Sequence, residues 1–296
     1  MRLCGGGWRG LAAGLALLAT GAGAADLAAV RQAGVLRHLG VRYANFVTAD
    51  GSGFDAELVQ GFAKSIGVRY QLVTSDFYNV LQDLLGADFA REGDEVRVRA
   101  GSRPVRGDLI ASGLTVLPWR QKLVLFSTPT FPSQVMLVTR AESAVKRVGK
   151  QARVQDEIAQ TRAVLGRRSL LVMEQTCLDP VNYGMTSASF DLRRHKPTSN
   201  LDEMVPALLG GAAEFVLLDV PDVVLDLQRW AGRIQVVGPI SEVQDLAVAF
   251  PKSSPQLRSA FEAYLAQLRR DGRYDRLVDK YYPGIRLYFP AFFNRP

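Results

Sequence analysis

In a chain of 296 residues, cysteine and histidine, the commonest metal ligands and catalytic nucleophile and base, are scarce. Two cysteines, Cys4 and Cys177, rule out a cysteine-rich zinc site, and two histidines, His38 and His195, are too few for a histidine-rich metal centre. No metal or cofactor is therefore expected. Neither histidine lies near a nucleophile motif, so seryl hydrolysis is not indicated. A lone thiol such as Cys177 is more often inert packing than a nucleophile. Asp219 is better placed for a role. It closes the apolar run 215–218 and stands just before Pro221, and ligands of open α/β sheets bind at the ends of strands. The same position suits the cap of a helix over 221–229, and one residue can hold both roles.

The elements that would hold these residues alternate. Apolar runs at 35–41, 68–73, 108–111, 134–139, 170–173, 215–218 and 234–237 read as short strands. Helical windows at 55–66, 77–85, 155–164, 201–209 and 221–229 separate most of them. This rhythm predicts an α/β fold with largely parallel sheets. The clearest helix comes late: Ser254 caps it, Pro255 opens it, and Leu257, Phe261, Tyr264, Leu265 and Leu268 share a face before Gly272. A short helix over 274–281 follows. Residues 88–107 interrupt the rhythm with charge, and the alternating Val96-Arg97-Val98-Arg99 suggests an exposed hairpin or loop insertion.

Composition sets the outer bounds. With 48% hydrophobic and 22% charged residues, the chain is not mostly disordered, and its length suggests about two domains. Residues 1–24 read as a cleavable signal peptide, with Arg2 and Arg9 flanking the start of the apolar run 11–19 and Ala22-Gly23-Ala24 offering a cleavage site. That run is too short to span a bilayer. A soluble periplasmic protein is expected, without a lipid anchor. The net charge of +7 is scattered among acids with no basic stripe, which disfavours nucleic acid as a partner.

Two stretches are distinctive together. Gly53-Phe54-Asp55-Ala56-Glu57-Leu58 opens a helix after a strand, and the run 107–116 (GDLIASGLTV) is followed by Arg120 and Phe126-Ser127-Thr128-Pro129. Near the end, Ala249-Phe250-Pro251-Lys252 precedes the Ser254 helix, then come Arg270-Asp271-Gly272-Arg273-Tyr274 and Lys280-Tyr281-Tyr282. In order and spacing this set resembles the family 3 extracellular solute-binding proteins over nearly all of the mature chain. The resemblance implies a type II periplasmic-binding-protein-like fold of two α/β lobes. Lobe 1 would take 26–135 plus 251–296 and lobe 2 would take 141–245. Two crossover strands, near 136–140 and 246–250, would form the hinge.

The resemblance also implies an amino-acid site in the cleft. Arg120 matches the carboxylate-binding arginine, whose planar fork donates two parallel hydrogen bonds. Thr115 matches the hydroxyl position five residues earlier, and Gly113 the position whose backbone approaches the ligand. Asp219 stands where an aspartate meets the ligand amine. Phe77 matches a stacking aromatic, while Tyr43 or Phe46, in the loop after the first strand, would either floor the cleft or pack in the core. Thr176 fits a turn that is Gly-Thr-Thr-like in the family, with Gln175 in place of the glycine and Cys177 beside it as a further cleft contact. Asp179-Pro180 reads as a cap. Leu117 where threonine is common, and the insertion at 88–107, depart from the pattern and leave the ligand open among amino acids, small peptides and other carboxylates.

The expectation is a monomeric binding protein rather than an enzyme. It would close around an amino acid or related small carboxylate and deliver it to the permease of an ABC transporter. The alternative is an orphan or sensor protein read by another partner, because the same fold occurs in ligand-sensing receptor domains and in the regulatory domain of certain murein lytic transglycosylases. A dehydratase-like enzyme on the same fold, with Glu174 as its acid, is the third reading.

Overall fold

The computed structural model describes residues 26–99, 101, 103–196 and 201–294. The signal peptide expected over 1–24 lies outside them. In chain order the strands of the described residues are β1 (Val35–Val41), β2 (Arg69–Ser75), β3 (Asp88–Glu92), β4 (Glu95–Arg99), β5 (Leu109–Ile110), β6 (Val124–Phe126), β7 (Phe131–Ser133), β8 (Val135–Arg140), β9 (Ser169–Val172), β10 (Asp191–Arg194), β11 (Phe215–Asp219), β12 (Ile234–Pro239), β13 (Gln244–Leu246) and β14 (Ala249–Pro251). Ten of them form two five-stranded sheets, ordered β2-β1-β5-β14-β6 and β10-β9-β11-β8-β12, and the other four form the pairs β13-β7 and β3-β4.

The sheets are mixed rather than largely parallel. β1 pairs in parallel with β2 and β5, but β14 runs antiparallel to β5 and β6. β8 is antiparallel to both β11 and β12. The reason lies in the connectivity. The strands that bring the chain into the second sheet and back into the first, β8 and β14, are the ones that run against their neighbours. The central strand β11 is buried along its whole length, as is β8 up to Thr139. Their unbroken apolar runs suit strands covered on both faces.

The passage between the sheets is short. β7 and β13 pair antiparallel with Phe131 opposite Leu246 and Ser133 opposite Gln244. Residues 136–140, expected as a crossover, instead lie inside the second sheet. Residues 249 and 250, from the other expected crossover, lie in the first sheet. Apolar character does not change where a strand leaves its sheet, so the sequence carries no mark of the boundary.

The first core is aromatic. Phe46 packs against Phe54, Phe131 and Tyr282 at centroid distances of 6.0, 5.2 and 5.3 Å. Helix Phe54–Ser65 presents Phe62 to Phe261 of helix Pro255–Arg270 at 5.3 Å. Ser254 stands at the N-cap of that second helix, as expected, but its side chain makes no cap hydrogen bond; the carboxylate of Asp26 accepts from Leu257 N at 2.8 Å. The helix expected over 77–85 begins only at Val80, because the Asp76 carboxylate holds the N–H groups of Tyr78 and Asn79 in a turn. Residues 88–99 form the β3–β4 hairpin around Gly93.

Candidate functional site

Asp219 ends β11 at the junction of the two sheets and is fully buried. It stands at the N-cap of helix Val220–Arg229, yet its side chain makes no cap hydrogen bond. Its Oδ2 accepts from the Tyr43 hydroxyl at 3.0 Å and the Cys177 thiol at 2.9 Å, and its Oδ1 from the Ser133 hydroxyl at 3.3 Å. Tyr43 follows the first sheet's β1, Ser133 ends the connection, and Cys177 follows the second sheet's β9. One carboxylate therefore ties both sheets and their connection together. Burial pushes its pKa up, against the three donors and the nearby charge of Arg120.

Arg120 closes the short helix Pro118–Gln121 and is only 3% exposed. Its Nη1 donates to the Thr115 carbonyl at 3.0 Å, and its guanidinium lies 5.1 Å from the Trp119 ring centre. Its Nε has no hydrogen-bond partner among the described residues, and no carboxylate pairs with it there. Desolvation lowers its pKa, while Cys177, Tyr183 and Asp219 act on it from the second sheet. A buried guanidinium without an anion is costly unless something completes it. A carboxylate from a bound molecule would do so.

The remaining residues named from the sequence divide into two groups. Thr115 is buried and bridges Leu246 of the connection. Its hydroxyl reaches no partner in hydrogen-bond geometry, though it is near enough to the Cys177 thiol to act on it. Cys177 is buried, and burial followed by the charge of Asp219 pushes its thiol well up, so it is a hydrogen-bond donor here and not a thiolate. Thr176 donates to the Met173 carbonyl at 2.6 Å and accepts from Leu178 N at 3.0 Å, which shapes the turn. Phe77 is half-buried and meets Tyr43 edge-on at 5.6 Å.

Phe46 takes the second of the two roles expected for it: it is fully buried in the aromatic core and stacks on Tyr43 at 5.4 Å. Gly113, with φ 57°, is covered by protein: a Cβ there would lie 2.7 Å from Phe46 and 2.8 Å from Tyr43. Rings therefore cover the side on which a side chain would stand, and the Gly113 N–H goes to Asp55 at 2.6 Å. Glu174 lies outside this group, with its carboxylate 2.8 Å from Arg194 in an exposed ion pair.

Sequence reasoning missed three residues here. Ser133 lies in a three-residue strand too short to show a pattern. Tyr183 donates to the Cys177 carbonyl at 2.5 Å and to Gln244 of β13 at 3.3 Å. Asp222 is buried with Oδ2 unpartnered among the described residues, and burial, then Asp219 and Asp226, push its pKa well up. Its spacing of three from Asp219 on a helix was the one available signal.

Comparisons agree with this geometry and correct one expectation. Residues 100–284 match the model of the bacterial extracellular solute-binding proteins, family 3. A mutant of ArgBP from T. maritima superposes with a TM-score of 0.67 at 21% identity, covering 86% of this chain and 98% of that one. An ancestral amino acid-binding protein, a precursor of cyclohexadienyl dehydratase, gives 0.65 at 22% over 86% and 98%. At these identities the likeness is one of fold, the two-lobed architecture of type II periplasmic binding proteins. Membrane-bound lytic murein transglycosylase F of Alcanivorax borkumensis is 24% identical over 238 residues. This chain spans 44% of the length of that relative and of a second so named, from Desulfosudis oleivorans. The expectation that the chain is no enzyme is overturned by these relatives: proteins named as enzymes share its sequence, and a forerunner of another shares its fold. Among the described residues no helix is long and apolar enough to cross a membrane.

Proposed function

This chain belongs to the bacterial extracellular solute-binding proteins, family 3, and we propose that it holds an amino acid or related small carboxylate between its two sheets. The buried, anion-free guanidinium of Arg120 carries this reading. The ligand carboxylate completes Arg120, and its amine takes the place of the Tyr43 hydroxyl and Cys177 thiol on Asp219. Thr115 supplies a further hydroxyl, and Phe77 with Tyr43 forms the aromatic wall. The sheets act as lobes, 26–135 plus 251–296 and 141–245, that swing about the β7–β13 connection. Delivery to an ABC permease from the periplasm is the use proposed for the closed form.

The test is a thermal-shift panel of amino acids, small peptides, polyamines and dicarboxylates on protein unfolded and refolded to strip carried-over ligand. A ligand at 100 times its dissociation constant adds about 2.7 kcal/mol to stability. A shift confined to molecules carrying a carboxylate supports the reading. Silence across the panel removes it.

A second reading is favoured by the curated relatives. Here the chain reports ligand occupancy to murein-cleaving chemistry rather than to a permease. Release of soluble fragments from purified murein, with and without a ligand from the panel, separates the two. A ligand-dependent change in release favours the second reading.

A further inference from the structure

We infer that the cleft beneath the β3–β4 hairpin is a second subsite, built for an apolar side arm ending in a carboxylate on a ligand whose amino-acid head sits at Arg120 and Asp219. The inference rests on the reading above and adds the class of ligand. The cleft encloses about 300 Å³. Phe77 and Trp119 line it from the first sheet's side, Phe89 and Arg91 from the hairpin, and Gln175 from the second sheet's side. It adjoins the head site through shared walls. Phe77 meets Tyr43, the partner of Asp219, and Trp119 lies 5.1 Å from the Arg120 guanidinium.

Three observations, on different elements, concern residues that line this cleft. Trp119 is 2% exposed, and its indole N–H has no partner among the described residues. A buried donor left open is a place for a ligand carbonyl. Arg91 lies 4.7 Å from the Trp119 ring centre and donates to Asn182 across the cleft at 2.8 Å and to the Gly93 carbonyl at 2.6 Å. Both acceptors are neutral. Two acids act on its charge, Asp179 and then Asp94, and Asp179 also accepts from the N–H groups of Gln175 and Val181. Neither is in salt-bridge contact with Arg91 among the described residues, so its guanidinium can still take a carboxylate. Gln175 holds φ 62°, a left-handed conformation that glycine would adopt without strain, and its side chain is exposed at the rim. Strain retained at a rim residue fits a side chain that contacts the ligand.

One probe carries every feature. γ-Glutamylphenylalanine has a free amino-acid head, an amide carbonyl for the Trp119 N–H, a phenyl ring for the aromatic walls and a terminal carboxylate for Arg91. Glutamine has the same head and amide and no arm. Calorimetric titration of the refolded chain should show γ-glutamylphenylalanine binding at least about tenfold more tightly than glutamine. Arg91→Ala should remove most of that ratio and leave the affinity for glutamine unchanged, and Gln175→Gly should reduce the ratio with the protein still folded. A ratio near one in the unaltered protein, or a ratio that survives both substitutions, overturns the inference. Binding of some other free amino acid with no response to either probe overturns it alone. No response to any amino acid overturns the reading beneath it as well.

Discussion

Asp219 and Arg120 are opposite charges buried at the same junction, and the protein treats them differently. Asp219 receives three donors from three parts of the chain. Arg120 has one hydrogen bond to a carbonyl, and its Nε is left open. The protein can satisfy the anion with its own hydroxyls and thiol when the sheets are together, but among the described residues no carboxylate is in contact with the cation, which feels Asp219 only from a distance. Ligand amine therefore competes with Tyr43 and Cys177 for Asp219, and its gain is a difference between similar hydrogen bonds. Ligand carboxylate has no rival at Arg120. The carboxylate end should dominate affinity, and the amine end should control how readily the sheets part.

The largest test of this asymmetry is Arg120→Met. Replacing an uncompensated buried charge with an apolar chain should raise the melting temperature. It should also weaken carboxylate ligands found by the panel by ~2–5 kcal/mol. Calorimetry alongside thermal unfolding reads both, and unchanged affinity would remove Arg120 from the site. A third buried charge extends the comparison. Asp55 has a single donor, Gly113 N, and burial lifts its pKa from 3.8 to about 7. The folded state then holds the proton more tightly than the unfolded one, so stability falls as pH rises from 3.8 to about 7 and levels off above. Asp55→Asn, which keeps an acceptor and loses the charge, should gain on the unaltered protein across that window, reaching on the order of 4 kcal/mol. Urea unfolding at several pH values checks this, and a gap independent of pH would refute it. Tyr43→Phe is the smallest change. It removes one rival from Asp219 and should tighten amine-bearing ligands by about 1 kcal/mol. Weaker binding would mean that the hydroxyl serves the ligand.

Local chemistry explains what the sequence disclosed. β1 lies where its apolar run placed it, at Val35–Val41, and helices Val154–Leu165 and Val220–Arg229 fall within a residue or so of their periodic patterns. Asp219 stood out because it ends an apolar strand ahead of a proline-marked helix start, whereas Arg120 stood out only through its match to the family's carboxylate-binding arginine. The pairings were not legible. Tyr43 meets Asp219 across 176 residues, and Cys177 meets it across 42. No periodicity records which strand end will face which loop. The same limit hid the β7–β13 connection, where three residues are too few to alternate. It also hid the covering of Gly113 by rings, because the sequence shows a glycine without showing what approaches it.

The order of strands in the first sheet has a consequence in time. β14 lies between β5 and β6 although the whole second sheet is threaded before it in the chain. A ribosome that has finished β6 at Phe126 must make the second sheet before Ala249 exists, on the order of ten seconds at typical elongation rates. Through that interval β5 and β6 have unpaired edges, and Phe62 waits for Phe261. The second sheet, contiguous from β8 to β12, can close first. Birth order is thus inverted: the sheet that starts the chain can be completed only after the other, and a chain stopped short of residue 249 would leave the edges of β5 and β6 open to chaperone or protease.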